Sequence, residues 1–143
     1  MSQSLTAIYV HLIFSTKHRK PFLEDPGLLT ETHEFLGSVS TKLGHGTVNV
    51  GGMADHVHLL ARLSRTQSIA DWVRELKRKS CIWIRGHQSN TEAFGWQDGY
   101  GAFSVNASNL AAVDRYIANQ ETHHRAADFK TEFRAILRSH GVI

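Results

Sequence analysis

The sequence carries one cysteine, Cys81, so no disulfide can form within the chain. That usage suits a reducing compartment, and the expected role of Cys81 is a small buried hydrophobe on a helix. No apolar run approaches the roughly 20 residues that span a bilayer. The opening Met-Ser-Gln-Ser-Leu-Thr lacks the basic start and apolar stretch of a secretory signal. The expectation is a cytoplasmic protein with no membrane partner. Low-complexity segments, solenoid-spaced repeats and linker-like stretches are also missing, so residues 1–143 read as one domain.

Excess charge is scarce too. The net charge is +3, a mild indication of an anionic partner, and ten histidines stand outside that count. The placement of the cations says more than their total. Lys17, Arg19 and Lys20 form one cluster; Arg74, Lys77, Arg78, Lys79 and Arg85 form another. Either cluster alone is equally well read as a solvated face.

The run AIYVHLIFS, about Ala7 to Ser15, is rich in β-branched and aromatic residues and predicts a strand. Apolar residues on both its faces predict a central strand covered on two sides. A loop with Pro21 and Pro26 follows. Leu28, Leu29, Phe35, Leu36, Val39 and Leu43 then recur at helical spacing, with Gly44 as a stop. Two extended runs come next, about Thr47 to Val50 and His56 to Leu63, with Gly51 and Gly52 near the turn between them. Ser68 with Asp71 predicts a helix start, and Ile69, Trp72, Val73, Leu76, Ser80 and Trp83 form one helix face. After the polar stretch from Gly86 to Gly99, YGAFSV predicts a fourth strand. Ser108 or Asn109 opens a third helix through about His123, and Asp128 opens a fourth that ends before Gly141. The order β-α-β-β-α-β plus two helices is the α+β, ferredoxin-like split-βαβ pattern. It implies a four-stranded antiparallel sheet with a C-terminal helical extension that carries Tyr116. Such a fold hosts many activities, so function has to be read from the site.

Alternation along a strand puts His56 and His58 on one face and Val57, Leu59, Ala61 and Leu63 on the other. Two imidazoles so placed can converge on one divalent ion. Two unrelated histidines on an open sheet face are the plainer reading of a bare His-x-His. Tyr116 and Gln120 lie four residues apart, on one helix face beside the apolar Leu110, Val113 and Ile117. Taken alone, an interfacial aromatic is the plainer reading of Tyr116, and a surface helix former that of Gln120. The other two tyrosines, Tyr9 and Tyr100, fall inside predicted strands.

Together these segments resemble a known family. HVHLL, preceded by Asp55, is similar to the histidine–hydrophobe–histidine motif of HUH endonucleases. YIANQ resembles the catalytic helix of the single-tyrosine transposases, which mobilise insertion sequences or accompany repetitive extragenic palindromes. VHLIFSTKHRKPFL and GYGAFSV extend the likeness over most of the chain. The resemblance implies a divalent metal, Mg²⁺ or Mn²⁺, held by His56, His58 and Gln120, with Tyr116 as nucleophile. It further implies single-stranded or hairpin DNA as partner, and a homodimer in which one subunit's tyrosine helix meets the other's histidine pair.

The chemistry agrees with that implication. A tyrosine attacking phosphorus leaves a 5′-phosphotyrosine and a free 3′-hydroxyl, so rejoining needs no ATP. A phenol with pKa near 10 needs a cation to neutralise developing charge. The mixed nitrogen and oxygen donors lean towards Mn²⁺, availability favours Mg²⁺, and zinc stays open. Asp55 either orients a histidine or marks the turn. Within this reading Lys17, Arg19, Lys20, Arg74, Lys77 and Arg78 would neutralise DNA phosphates, at the nucleoid. Two other classes compete: a domesticated DNA-binding protein without transposition activity, and a metallohydrolase that uses water and gives Tyr116 no role.

Overall fold

The computed structural model describes residues 3–87, 93–125 and 127–143. Part of the polar stretch between Gly86 and Gly99 therefore lies outside the described residues, as do Met1 and Ser2. Four strands, β1 (Tyr9–Ser15), β2 (Gly46–Met53), β3 (His56–Arg62) and β4 (Gly101–Val105), form one sheet in the order β2-β3-β1-β4. Every pairing is antiparallel. The expected ferredoxin-like arrangement is the one observed, with β1 inside the sheet between β3 and β4.

On one face of the sheet Val10, Leu12, Phe14, Val57, Leu59 and Ala61 are buried in the main core. The helices α1 (Pro26–Lys42) and α2 (Ile69–Arg85) cover them with Leu28, Leu36, Trp72, Leu76 and Ile84. Local chemistry sets the helix ends. The Asp25 and Ser68 side chains accept from the backbone N–H of Leu28 and Asp71, so each caps a first turn, and Gly44 at φ 96° follows α1. Cys81 on α2 is half-buried against the carbonyl of Phe94.

The other face carries Ile13 and Leu60, but also His11, His56 and His58. Three C-terminal helices cover it: α3 (Leu110–Ala118), α4 (Gln120–His123) and α5 (Phe129–Ser139). The double cover expected for β1 is present. The expected third helix is not continuous to His123: it stops at Ala118, and Asn119 (φ −101°, ψ 21°) turns the chain before Gln120.

Gly51 and Gly52 also do different work from the turn role expected of them. The strand β2 runs through both, and the turn falls at Ala54 and Asp55. A Cβ on Gly51 would lie 2.6 Å from the Ile117 carbonyl oxygen, so this glycine is where α3 rests on the sheet. A Cβ on Gly52 would lie 2.3 Å from the carbonyl oxygen of His56. Earlier in β2 the register slips between Thr47 and Asn49, a bulge that leaves Asn49 opposite Leu60. There its amide donates to the Asp114 carboxylate at 2.7 Å and fastens α3 again. Gly51→Ala is expected to push α3 off β2 and to cost about 1–3 kcal/mol, as overpacking does. A denaturation midpoint unchanged from the parent protein would show that α3 does not rest there.

Candidate active site

The site is built from β1, β3, α3, α4 and α5 of a single chain. His56 and His58 are both fully buried. Each has its Nδ1 occupied on the far side: Asp55 Oδ1 lies 2.7 Å from His56 Nδ1, and His11 Nε2 lies 2.8 Å from His58 Nδ1. Both Nε2 atoms are thereby aimed at one point. Asp55 sits in the turn, and its carboxylate accepts from His56 Nδ1.

At that point stands Glu132 of α5, 3 % exposed. Its two oxygens divide the site. Oε1 lies 3.3 Å from His58 Nε2, 3.4 Å from His56 Nε2 and 3.0 Å from His124 Nε2. Oε2 accepts from the Tyr116 hydroxyl and from the Gln120 amide at 2.9 Å. Gln120, 2 % exposed, turns its own oxygen towards His56 Nε2 at 3.0 Å and His124 Nε2 at 3.1 Å. The break at Asn119 has a purpose here. It delivers the Gln120 amide into the centre, where three polar partners replace helical continuity.

Four of the residues expected from the sequence, His56, His58, Tyr116 and Gln120, therefore meet. The sequence reading missed Glu132, His11 and His124. The signal for Glu132 was present: it falls among Phe129, Phe133 and Ile136 at helical spacing, a carboxylate inside an apolar stripe. His11 shares the face of Tyr9 and Ile13, but only the β1–β3 register brings it to His58.

Electrostatics follow from burial and from this carboxylate. Burial pulls His56 down, but the hydrogen bonds it donates to Asp55, Glu132 and Gln120 prevail and raise it to about 9. Burial and the neighbouring His58 lower His11 to about 3, so it is neutral. Burial also lowers His58, against the pull of Glu132. Burial disfavours the charged form of Glu132, yet its histidine and tyrosine donors hold it well below the usual carboxylate range. Tyr116 is pushed above its ordinary value by burial first and then by the Glu132 carboxylate.

The donor set fits a divalent cation. His56, His58 and Glu132 offer ligand atoms all within 4.8 Å of one another, and both imidazoles already have outer partners fixing them. Binding there must expel the Nε2 proton of His56. The affinity for Mn²⁺ is therefore expected to rise about tenfold per pH unit from 7 towards 9. Calorimetry should also detect proton release, and an affinity flat across that range would contradict the assignment. In the metal-free protein the sign is opposite. The stabilising contribution of His56 is complete below 6.5 and is lost as the pH rises through about 9.

The expected DNA-binding cations divide. Arg19 lies beside the site in a cleft, with Lys17 and Lys20 in the same short segment. Arg74, Lys77 and Arg78 ride on α2, across the sheet from the histidines. Arg74 pairs with Asp71 and Arg78 with Glu75, while the Lys77 ammonium donates to the carbonyls of Gln97 and Gly99. Lys77 is thus committed to holding a loop.

Comparison with known proteins assigns the family. The family described as transposase, IS200 like, matches residues 4–120. The chain belongs to that family. The matched region contains His56, His58, Tyr116 and Gln120 and ends before Glu132. A relative, the ISDra2 transposase TnpA of Deinococcus radiodurans, is 27 % identical over 115 residues, 77 % of this chain and 81 % of its own. A crystal structure from Deinococcus radiodurans, described as a transposase, superposes with TM-score 0.64 at 26 % identity, covering 84 % of this chain and 98 % of that one. A REP-associated tyrosine transposase bound to a REP hairpin has TM-score 0.61 at 12 % identity, covering 87 % of this chain and 74 % of the other, a likeness of fold. Among the described residues no helix is long and apolar enough to cross a membrane.

Proposed function

We propose that this transposase cuts and rejoins single-stranded or hairpin DNA through a 5′-phosphotyrosine on Tyr116. One observation carries the reading: the Tyr116 hydroxyl, the His56–His58 pair and Gln120 all converge on the two oxygens of Glu132. The Tyr116 oxygen forms a bond to phosphorus as the bond to the 3′-oxygen breaks. Glu132 Oε2 accepts the hydrogen bond that orients the Tyr116 hydroxyl; the phenolic proton leaves to solvent as that bond forms, and water protonates the departing 3′-oxygen. A Mg²⁺ or Mn²⁺ ion held by His56, His58 and Glu132, with Gln120 as a neutral oxygen donor, would neutralise charge on the phosphate. His11 and Asp55 keep the two imidazoles turned inward throughout.

One chain supplies every group, so this reading needs no exchange of helices. In the homodimer implied by the family resemblance, α3 to α5 would instead cross to a partner. Mixing His58→Ala and Tyr116→Phe proteins separates the two: restored cleavage requires exchange, and none is expected from a site completed in one chain. The DNA preference is tested by competition titration. Binding is expected to be salt-sensitive and to favour single strands or hairpins over blunt duplex. Equal affinity for the duplex would contradict it.

A further inference from the structure

Beside the site, and not used in the cleavage chemistry above, lies a cleft between the end of β1, the 97–100 loop and α5. We infer that this cleft seats an unpaired nucleotide next to the scissile phosphate, stacking its base and neutralising its phosphate. The inference rests on the proposed function and specifies where its substrate is held.

Three observations carry it. The floor is aromatic: Phe129, Phe133 and Tyr100 line the cleft, and Tyr100 is 44 % exposed, an uncovered ring just before β4. The rim is cationic, lined by Arg19, Lys130 and Arg134 together with the carboxylate of Asp98, while Asp128 also lies within electrostatic reach of Arg19. None of these three cations makes an ion pair among the described residues, in contrast with the paired arginines of α2. Stacking faces beside cations not held in an ion pair are what a single strand's bases and phosphates require, and a nucleobase of any identity has a face to offer. The cleft is also continuous with the chemistry. Phe129 lines it and stacks on His56 with ring centroids 4.4 Å apart, so a strand with its phosphate at the histidines would pass over Phe129 into the cleft.

The backbone is arranged to the same end. His18 and Arg19 are consecutive non-glycine residues in the left-handed region, at φ 57° and 54°. Such a pair persists only when its surroundings hold it. Here Lys17 N–H donates to the Gly95 carbonyl, His18 N–H to Gln97 Oε1 and Arg19 N–H to the Thr16 carbonyl. The facing loop is in turn held by Lys77. The effect is to fix Arg19 at the rim.

The test uses the full chain carrying Tyr116→Phe, so that binding is read without cleavage, and a thymidine oligonucleotide bearing one photoreactive 5-iododeoxyuridine as probe. Irradiation is expected to crosslink Tyr100, Phe129 or Phe133, as mapped by peptide mass. Paired Arg19→Ala and Arg134→Ala changes should weaken oligothymidine binding and lower its salt slope by about 0.7 for each phosphate that is no longer neutralised. Lys42→Ala, in the last turn of α1, should leave both unchanged. Crosslinks confined to α1 or α2, or a salt slope unaffected by the paired change, would overturn the cleft. Neither result touches Tyr116. Cleavage by the unmodified chain with no cleft crosslink refutes this inference alone, whereas absence of any cleavage refutes the proposed function.

Discussion

Replacing Tyr116 by phenylalanine is expected to abolish DNA cleavage, by on the order of 10⁴-fold or more, as loss of a nucleophile does elsewhere. The substitution removes one hydroxyl. Ile117 stays packed on Gly51, and the Asn49–Asp114 hydrogen bond that fastens α3 is untouched. Glu132 Oε2 loses one donor but keeps the Gln120 amide. The fold and the affinity for single-stranded DNA should therefore hold near the parent values, because affinity comes mainly from the DNA phosphates. Gel assays with end-labelled DNA and Mn²⁺ measure the loss, and anisotropy measures the retained binding. Cleavage that survives in this variant would favour a metallohydrolase using water. If the unaltered chain binds DNA and never cuts it, the protein is a DNA-binding relative without the chemistry.

The second large effect is expected at His58. Alanine there removes one of the two inward-facing Nε2 atoms and deprives His11 and Glu132 of a buried partner. Mutation of outer partners alone typically costs 10–100-fold in metal affinity, so losing a ligand should cost Mn²⁺ binding more than about 100-fold. Cleavage should vanish with it. The unpaired buried groups should also lower stability by about 1–3 kcal/mol without unfolding the chain. His58→Gln keeps a hydrogen-bonding side chain and separates the two effects: it should recover much of the stability and little of the cleavage. Full activity in His58→Gln, or Mn²⁺ affinity unchanged in His58→Ala, would make this histidine structural.

How much of this was legible beforehand differs from residue to residue. The alternation through His56, Val57, His58 and Leu59 reported which side chains meet the helices and which meet the site, because strand geometry leaves no other choice. Ser68 and Asp128 announced helix starts through their capping oxygens, and both do accept from the expected turn. The double-sided apolarity of β1 foretold cover on both faces, and α3 to α5 supply the second cover. What escaped depends on partners distant in sequence. His11 acquires its role from the register that brings β1 against β3. Glu132 acquires its role from the docking of α5 on the sheet, and a period of 3.6 residues cannot say what an apolar stripe will face. The break at Asn119 escaped because periodicity predicts continuity, while three hydrogen bonds to the Gln120 side chain favour a turn. The glycines of β2 were visible as glycines, but close approach by α3 and tight turns ask for the same residue.

The most direct measurement is the chemical location of a covalent protein–DNA link. The unmodified chain, incubated with end-labelled single-stranded DNA and Mn²⁺, should give an adduct that resists denaturant. Proteolysis and mass analysis should place a nucleotide 5′-phosphate on the peptide containing Tyr116. A link on Tyr9 or Tyr100, or an adduct that persists in the Tyr116→Phe protein, would contradict the account.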